Sequence, residues 1–403
     1  MNCRICQSKT RQVLDLGKSP PANSLLSKKE QKIKKYPLVL DFCENCNNLQ
    51  LRDCLNIDDL YKHYYYITPQ STILNDHYEY LTKFLISRNY INNSSKVIEI
   101  GSNVGLYLDF LKPYVGSVLG VDPAKNITQI ANRNGIPTIC DFFNNKLANE
   151  ILSSKGKADA IIARHCFAHN SSPHELLKGV KALLSQDGAV IIENAYVLNT
   201  LENNEFDQIY HEHMFYYSIQ SMSKALEMND LRLQDVYFSL VHGGSILFVA
   251  KHSEAFTKES DSLKKYLQYE KTVLNNFMLD KFSSNVFKFK KDLKNLIISL
   301  KKNNPLTNIY TYGATAKGNT LLNYVELNQN HINYCVDCTE IKQGKYLPGS
   351  NIKIISEEYA DKHPPTHFLL TAWNYKDEII KKVRNKGNLD SAFIIPFPNL
   401  TIS

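Results

Sequence analysis

Val97-Ile-Glu-Ile-Gly-Ser-Asn-Val-Gly105, followed by Val118-Leu-Gly-Val-Asp122, is the stretch that decides the fold. A short apolar run with an acid near its end enters a glycine-rich turn, and a second apolar run ends in Asp122. This pattern predicts the opening β-turn-α-β unit of a doubly wound sheet that binds a nucleoside. Gly101 and Gly105 can take backbone angles that other residues resist. Asp122, at the tip of the second strand, can accept hydrogen bonds from the ribose hydroxyls.

The spacing of the glycines narrows the choice of ligand. Dinucleotide-binding folds use Gly-x-Gly-x-x-Gly, whereas three residues separate Gly101 from Gly105 and Glu99 stands just before them. Glu-x-Gly-x-x-x-Gly resembles motif I of the S-adenosylmethionine (SAM) methyltransferases. This resemblance implies SAM as the cofactor.

Composition and charge are those of a soluble globular protein. The chain has 403 residues, 43% of them apolar and 22% charged, with a net charge of +7. This length predicts two or three domains. The charge is spread among many Lys and Asn residues, so we interpret it as a solvated surface and expect no nucleic-acid partner.

The sequence also gives no sign of a membrane segment. No apolar run reaches the ~18 residues that span a bilayer, and Met1–Cys6 contains no apolar signal region. We therefore expect a cytoplasmic protein without a membrane partner, in which cysteines are reduced or metal-bound.

Two Cys-x-x-Cys pairs, Cys3/Cys6 and Cys43/Cys46, stand near the N-terminus with 36 residues between them. Two thiolate pairs brought together make the tetrahedral sulfur site that Zn²⁺ prefers, so we predict a structural zinc. The spacing exceeds that of a short zinc ribbon and requires an inserted excursion, which Asp15-Leu-Gly17 and Pro20-Pro-Ala-Asn23 can supply. The alternative is two coincidental cysteine pairs.

The predicted fold class is α/β, with a small zinc-binding N-terminal domain, a central Rossmann-like methyltransferase domain and a second Rossmann-like α/β domain at the C-terminus. Alternating strand and helix patterns predict the parallel sheet of the central domain. Its expected strands are 96–100, 117–121, 136–140, 158–162 and 188–193, followed by a strand pair at 236–238 and 245–250. The expected segments are 1–60 for zinc, 61–252 for the methyltransferase, 253–304 for a helical connector and 305–403 for the C-terminal domain.

Tyr210-His-Glu-His213 is the second chemical signal. Two histidines, a glutamate and a tyrosine in four residues can abstract a proton near neutral pH. A metal site is one alternative, because His-x-His can chelate. An exposed polar loop is the other.

Several motifs together resemble one family, the nucleotide-sugar C-methyltransferases, which methylate C3 of nucleotide-linked 4-keto deoxysugars. The similarity runs from Cys3 to Pro398. The motifs are the double Cys-x-x-Cys, Glu-x-Gly-x-x-x-Gly, Tyr210-His-Glu-His213, His242-Gly-Gly244, and Tyr312-Gly-Ala-Thr-Ala-Lys-Gly-Asn-Thr320 with Lys342-Gln-Gly-Lys-Tyr-Leu-Pro-Gly349. The resemblance implies that the sugar lies between the central and C-terminal domains.

In that chemistry the C4 ketone acidifies the C3 proton, a base removes it, and the enolate takes the methyl group. The resemblance implies that His213 is the base, with Tyr210 and Glu212 orienting it or the substrate. Glu212 could set the tautomer of His213, or be the base itself if burial raises its pKa. Tyr64 and Tyr66 would close over the sugar. His169 is a further candidate for a polar role, and the remaining implied residues bind ligands.

The implied cofactor-binding residues are Glu99, Gly101, Ser102, Asn103, Gly105, Asp122, Pro123, Asp141, Phe142 and Arg164. The implied substrate-binding residues are His242, Lys317, Gly318, Asn319 and Lys345. A helix N-terminus near Lys317 suits a diphosphate. We therefore assign Lys317, Gly318 and Asn319 to the nucleotide of the sugar.

One segment departs from the family pattern. Members commonly carry an amide-rich turn before Ala-His after the fourth strand, whereas Arg164 and His165 occupy that turn here, ahead of Ala168-His169. This departure leaves the acceptor sugar open.

Other functions remain open. The chain could methylate O or N of a carbohydrate or other small molecule, or serve as a non-catalytic zinc-ribbon binding protein. If the chain is a nucleotide-sugar C-methyltransferase, we expect a nucleotide-sugar substrate and a monomer or homodimer.

Overall fold

Three β-sheets organise the computed structural model, which describes residues 1–56, Leu60, Thr68, 71–239 and 241–403, with His242 described by its backbone alone. Tyr64 and Tyr66 lie outside the described residues. The strands are β1 Arg11–Ser19, β2 Tyr36–Cys43, β3 Asn48–Leu51, β4 Lys96–Ile100, β5 Ser117–Val121, β6 Thr138–Ile139, β7 Ala158–Arg164, β8 Leu184–Ala195, β9 Phe215–Tyr216, β10 Leu231–Ser239, β11 Ser245–His252, β12 Ile309–Tyr312, β13 Tyr334–Val336, β14 Ile354–Ile355, β15 His367–Leu370, β16 Ala392–Ile395 and β17 Thr401–Ile402.

The α-helices surround these sheets. They are α1 Thr72–Ser87, α2 Leu106–Leu111, α3 Lys125–Arg133, α4 Asn145–Lys155, α5 Pro173–Leu183, α6 Val197–Glu202, α7 Ile219–Glu227, α8 Asp261–Val273, α9 Asn276–Asn303, α10 Ala316–Val325, α11 Glu357–Lys362 and α12 Lys376–Asn385. Within the described part of the chain, no helix is both long enough and apolar enough to cross a bilayer.

The central sheet has the strand order β10-β11-β8-β7-β4-β5-β6. Strands β4 to β8 run parallel, and β11 is antiparallel to both β8 and β10. The predicted strands at 96–100 and 117–121 are confirmed, as is the antiparallel pair that ends the sheet. The carboxyl ends of the parallel strands share one edge, where open α/β sheets bind ligands.

Strand β4 is recognisable in the sequence because both of its faces are covered. Val97 packs into one apolar cluster, and Ile98 and Ile100 pack into another on the opposite side. A strand buried on both faces is a continuous apolar run rather than an alternating one.

The C-terminal sheet has the order β14-β13-β12-β15-β16-β17, parallel except for β17. The turn after β12 begins at Gly313, whose φ is +107°. Thr315 then caps helix α10, because its hydroxyl accepts a hydrogen bond from the Gly318 N–H at 2.9 Å. The second Rossmann-like unit is confirmed.

Helices α8 and α9 confirm the helical pattern predicted before residue 304. Phe206, from the central part of the chain, packs against Phe289 of α9 and against Tyr324 and Phe397 of the C-terminal unit, with ring centroids 5.1–5.5 Å apart. These aromatic contacts join the two Rossmann-like units through apolar surface.

The N-terminal sheet has the order β1-β2-β3-β9. Its last strand is Phe215–Tyr216, which pairs with Leu49 and Gln50 of β3. The N-terminal segment therefore completes its sheet with a strand that begins two residues after His213.

Candidate active site

A cavity opens at the carboxyl ends of β4, β5 and β7. The predicted cofactor-binding residues that line it are Gly101, Ser102, Asn103, Asp122, Pro123, Asp141, Phe142 and Arg164. His169, predicted for a polar role, also lines it. The sequence motif therefore marks one continuous site, although Glu99 and Gly105 are not part of the wall.

The two motif glycines are required by the backbone and by the space around them. Gly101 has φ +68°, and a Cβ there would lie 2.5 Å from the Cβ of Cys166. Gly105 has φ +81°, and its Cβ would lie 2.9 Å from Ile136 Cγ2. Gly105 thus acts by letting α2 begin close to the sheet, and Gly101 shapes the cavity floor.

Asp122 lies where a ribose-binding carboxylate is expected, and its residue is 6% exposed. Its Oδ2 accepts the Asn103 N–H at 3.0 Å, and its Oδ1 accepts the Ala124 N–H at 3.0 Å. Burial raises the pKa of Asp122, while these two hydrogen bonds lower it. The carboxylate is thus tied to the glycine-rich turn.

Glu99 supports the cavity from behind rather than lining it. Its Oε1 accepts the Arg164 Nε–H at 2.8 Å. The Arg164 guanidinium lies 4.3 Å from the ring centroid of Tyr107 and 4.9 Å from that of Tyr78. Burial raises the pKa of Glu99 and the Arg164 charge lowers it. The pair fixes a cation in the cavity wall.

Sequence reasoning missed several residues of this wall. They are Tyr78, Tyr107, His165 and Cys166, among others. His165 had a signal, because it stands in the segment that departs from the family pattern; its φ is +51° and its Nε2 lies 3.9 Å from Glu193 Oε2. The tyrosines had none, since their sequence pattern is that of ordinary helix packing.

Tyr210 and His213 form a hydrogen-bonded pair with a defined polarity. His213 Nδ1 lies 2.9 Å from the Gln208 carbonyl oxygen, which can only accept, so Nδ1 carries the proton. His213 Nε2 therefore has the lone pair and accepts the Tyr210 O–H at 2.6 Å. Burial holds the pKa of His213 well below 6.5, so its imidazole is neutral.

Glu212 does not set the tautomer of His213, contrary to one of the roles considered for it. The Gln208 carbonyl oxygen does so. The Glu212 carboxylate accepts hydrogen bonds from Asn23 Nδ2 at 2.9 and 2.8 Å. Burial raises the pKa of Glu212 to about 7, and the Asn23 hydrogen bonds oppose that rise.

His169 connects this pair to the cavity. Its ring centroid lies 5.0 Å from that of His213, while its residue lines the cavity wall. Burial lowers the pKa of His169 to about 4. A neutral base and the cavity thus lie side by side, which is the arrangement needed for proton removal next to a bound cofactor.

The C-terminal unit brings Lys317 towards the same centre. Its Nζ lies 4.8 Å from the Trp373 ring centroid. Burial lowers the pKa of His213 and the Lys317 charge lowers it further, whereas burial raises the pKa of Glu205 and of Asp207 and the Lys317 charge opposes that rise. Trp373 Nε1–H donates to Asp207 Oδ2 at 2.7 Å. Lys317 therefore lies at the junction of the two Rossmann-like units.

The other predicted substrate residues vary in position. Asn319 is buried and its Oδ1 accepts from Asn323 Nδ2 at 3.2 Å. Gly318 gives its N–H to the Thr315 cap and packs on Thr371, so its visible role is close packing. Lys345 donates to the Ile341 carbonyl at 2.7 Å. The side chain of His242 lies outside the described residues.

Lys342, which the sequence analysis did not select, contacts the glycine turn instead. Its Nζ donates to the Ala314 carbonyl at 3.0 Å and lies 3.3 Å from Asp337 Oδ2. Asp337 Oδ2 also accepts the Ala314 N–H at 2.8 Å. This lysine fixes the turn that presents Lys317.

The four predicted metal ligands converge. All four sulfur atoms lie within 4.8 Å of one another. Cys3 Sγ is 3.6 Å from Cys46 Sγ, and Cys6 Sγ is 3.4 Å from Cys43 Sγ. A zinc–sulfur distance of ~2.3 Å gives sulfur–sulfur edges of about 3.8 Å, so the set fits tetrahedral Zn²⁺. Among the described residues, no second group of three metal-binding side chains meets the same distance limit, which gives the His-x-His alternative no support.

Three family descriptions match this chain. "C-methyltransferase C-terminal domain" matches residues 240–398, "Methyltransferase domain" matches 74–236, and a zinc binding domain matches 3–61. They confirm the expected enzyme class, the SAM cofactor and the structural zinc.

One related protein and two solved structures are similar to this chain. C-methyltransferase NovU of Streptomyces niveus is 33% identical over 401 residues, which are 98% of this chain and 95% of NovU. Among solved structures, magnesium protoporphyrin IX methyltransferase (ChlM) from Synechocystis with bound SAH is 13% identical, covers 47% of this chain and 90% of its own, and has a TM-score of 0.36. N-methyltransferase NodS from Bradyrhizobium japonicum is 11% identical, covers 45% of this chain and 98% of its own, and has a TM-score of 0.35.

The match to NovU spans nearly the whole of both chains, and the family descriptions account for each part of this one. The chain therefore belongs to the SAM-dependent C-methyltransferases that carry an N-terminal zinc-binding domain.

Proposed function

We propose that this enzyme methylates C3 of a nucleotide-linked 4-keto deoxysugar, in the biosynthesis of a branched sugar for a surface glycan or secondary metabolite. The observation that carries the proposal is the Tyr210–His213 pair, a neutral imidazole whose Nε2 holds the lone pair and accepts the Tyr210 O–H beside the cofactor cavity. Methylation of O or N would not need a base for removing a carbon-bound proton.

The pair can divide the work of enolisation. When the substrate binds, the C3 proton passes to His213 Nε2, and the imidazole becomes an imidazolium whose Nδ1–H still donates to Gln208. Tyr210, released from Nε2, donates its O–H to the developing C4 oxyanion. SAM, when bound, supplies the electrophilic methyl group that the enolate carbon accepts. The proton then leaves His213 for water.

A proton-exchange experiment tests this proposal. The enzyme is incubated without SAM in deuterated water with a panel of 4-keto nucleotide sugars, and proton NMR follows C3. We expect enzyme-dependent exchange at C3 for at least one sugar. The panel must include a sugar that the enzyme methylates when SAM is present. Absence of C3 exchange on every member of such a panel would contradict the enolate mechanism.

Asp122 is proposed to hold the SAM ribose. Asp122→Ala removes both oxygens that could accept the ribose hydroxyls, and hydrogen bonds to charged groups are worth roughly 1.5–3 kcal/mol. We expect the SAM dissociation constant, measured by calorimetry, to rise at least tenfold. Asp109→Ala, in the exposed face of α2, is the matched control and should leave it unchanged. Equal affinities in both variants would place SAM elsewhere.

Lys317 is proposed to bind the diphosphate of the sugar nucleotide. Its ammonium lies near the N-terminus of α10, where partial positive charge favours an anion. We expect Lys317→Ala to raise the Michaelis constant for the nucleotide sugar by roughly tenfold, as loss of one charge-assisted contact implies. SAM affinity should not change. The exposed Lys353→Ala serves as the control, and weakened SAM binding in Lys317→Ala would reverse the assignment.

A further inference from the structure

The zinc-binding segment contacts the catalytic turn, Tyr210-His-Glu-His213. Glu212 is 2% exposed, and both of its carboxylate oxygens accept hydrogen bonds from the side chain of Asn23, 189 residues earlier in the chain. Asn23 lies on the excursion that leaves β1 after Ser19. The excursion therefore does more than connect the two cysteine pairs.

The excursion is held in place by the C-terminal unit. Leu26 and Tyr346 exchange two backbone hydrogen bonds, at 2.9 and 2.8 Å. Pro20 packs against Gly349, where an added Cβ would lie 3.1 Å from Pro20 Cγ. Along the chain, Asn23 lies between the two anchored residues Pro20 and Leu26, and its side chain contacts Glu212. Its location is fixed by contacts to both Rossmann-like units.

The N-terminal sheet also binds the catalytic turn through its neighbours. His211 Nε2 lies 3.2 Å from the Pro37 carbonyl oxygen, and the Leu51 N–H donates to the Met214 carbonyl at 3.0 Å. Strand β9 follows at once and pairs with β3. The Asn23–Glu212 contact adds side-chain hydrogen bonds to this attachment.

The chemistry of the contact has a defined sign. An amide N–H donates to a carboxylate and favours its ionised form, whereas burial favours the neutral form. In the part of the chain that the structure describes, burial and Asn23 are the influences on the pKa of Glu212, and no charged side chain there adds to them. Loss of the amide would raise the pKa of Glu212 further.

We propose that Asn23 is a positioning residue of the active site: its amide holds the Glu212 carboxylate and so fixes the turn that carries Tyr210 and His213. The proposal rests on the function proposed above. It gives the zinc-binding segment a part in catalysis, because that segment delivers the side chain that holds the turn. Glu212 lies within this turn, which is closed by the hydrogen bond from the His213 N–H to the Tyr210 carbonyl at 2.9 Å.

The test compares Asn23→Leu, which removes the donor at similar volume, with Asn23→Gln, which keeps an amide. We expect Asn23→Leu to lower kcat for methyl transfer at neutral pH at least tenfold, the scale of a hydrogen bond to a charged group. The acidic limb of its pH profile should move to higher pH. Zinc content and SAM affinity should stay as in the wild type, and Asn23→Gln should recover part of the rate. Asn149→Leu, in the exposed face of α4, is the control.

A double-mutant cycle separates this effect from general damage. In a Glu212→Leu background there is no side-chain oxygen left to accept from the Asn23 amide, so Asn23→Leu should have little further effect. Additive losses, or wild-type kcat and pH profile in Asn23→Leu, would overturn the proposal. If Asn23→Leu does not fold, Asn23→Ser replaces it in the same cycle. Failure of the wild type to exchange or methylate C3 would refute the proposed function instead.

Discussion

Replacing His213 with alanine is expected to lower both methyl transfer and SAM-independent C3 proton exchange by about 10²–10⁴-fold, the usual contribution of a general base. A C3 proton beside a ketone does not leave at a useful rate unaided. His213 Nε2 is oriented for this task, because the Gln208 carbonyl fixes the proton on Nδ1. The measurement is proton NMR of exchange together with mass detection of the methylated product.

Several controls accompany this prediction. SAM affinity should survive in His213→Ala, and the exposed His363→Ala should behave as the wild type. Tyr210→Phe should lower both rates less than His213→Ala does, because it removes the oxyanion donor but keeps the base. Wild-type exchange in His213→Ala, with methyl transfer lost, would show that another residue, such as Tyr210, Glu212 or His169, is the base.

The Cys3→Ser/Cys43→Ser variant is expected to lose its zinc and, with it, the folded N-terminal sheet. Structural Zn²⁺ contributes roughly 10–16 kcal/mol in small zinc-finger peptides at neutral pH, and a segment of this size has little core of its own. Since β9 pairs with β3, the loss should extend to the catalytic turn. Elemental analysis should give about one zinc per wild-type chain and none in the variant, with methyl transfer abolished.

The matched control for this variant is Cys338→Ser, an exposed thiol outside the cluster. Its zinc content and melting temperature should equal those of the wild type. Full zinc retention in Cys3→Ser/Cys43→Ser would show that the four sulfurs are not the ligands, whatever happens to activity.

The central sheet and the cofactor-binding edge could be predicted because the burial and backbone angles of these segments restrict their residue types locally. Strand β4 is a continuous apolar run since both of its faces are buried, and the positive φ of Gly101 and Gly105 leaves little choice of residue. The four metal ligands could be predicted as well, because two Cys-x-x-Cys pairs on tight turns are the usual ligands of a structural zinc.

The contacts within the site could not be predicted, because their partners are far apart in the chain. Nothing in the sequence near Glu99 indicates that its carboxylate accepts a hydrogen bond from Arg164, 65 residues later. The motif predicted a ligand contact, and the structure has an ion pair behind the cavity wall instead. The same holds for Glu212, whose neighbour His213 was the expected partner, whereas Asn23 is the observed one.

The position of the transferred methyl group tests the proposed function most directly. The wild-type enzyme is incubated with SAM carrying a ¹³C-methyl group and with each 4-keto nucleotide sugar of the panel, and the products are examined by mass spectrometry and carbon NMR. We predict one added methyl group per sugar, with the labelled carbon bonded to C3. A labelled methyl on oxygen or nitrogen, or on any carbon other than C3, would contradict it.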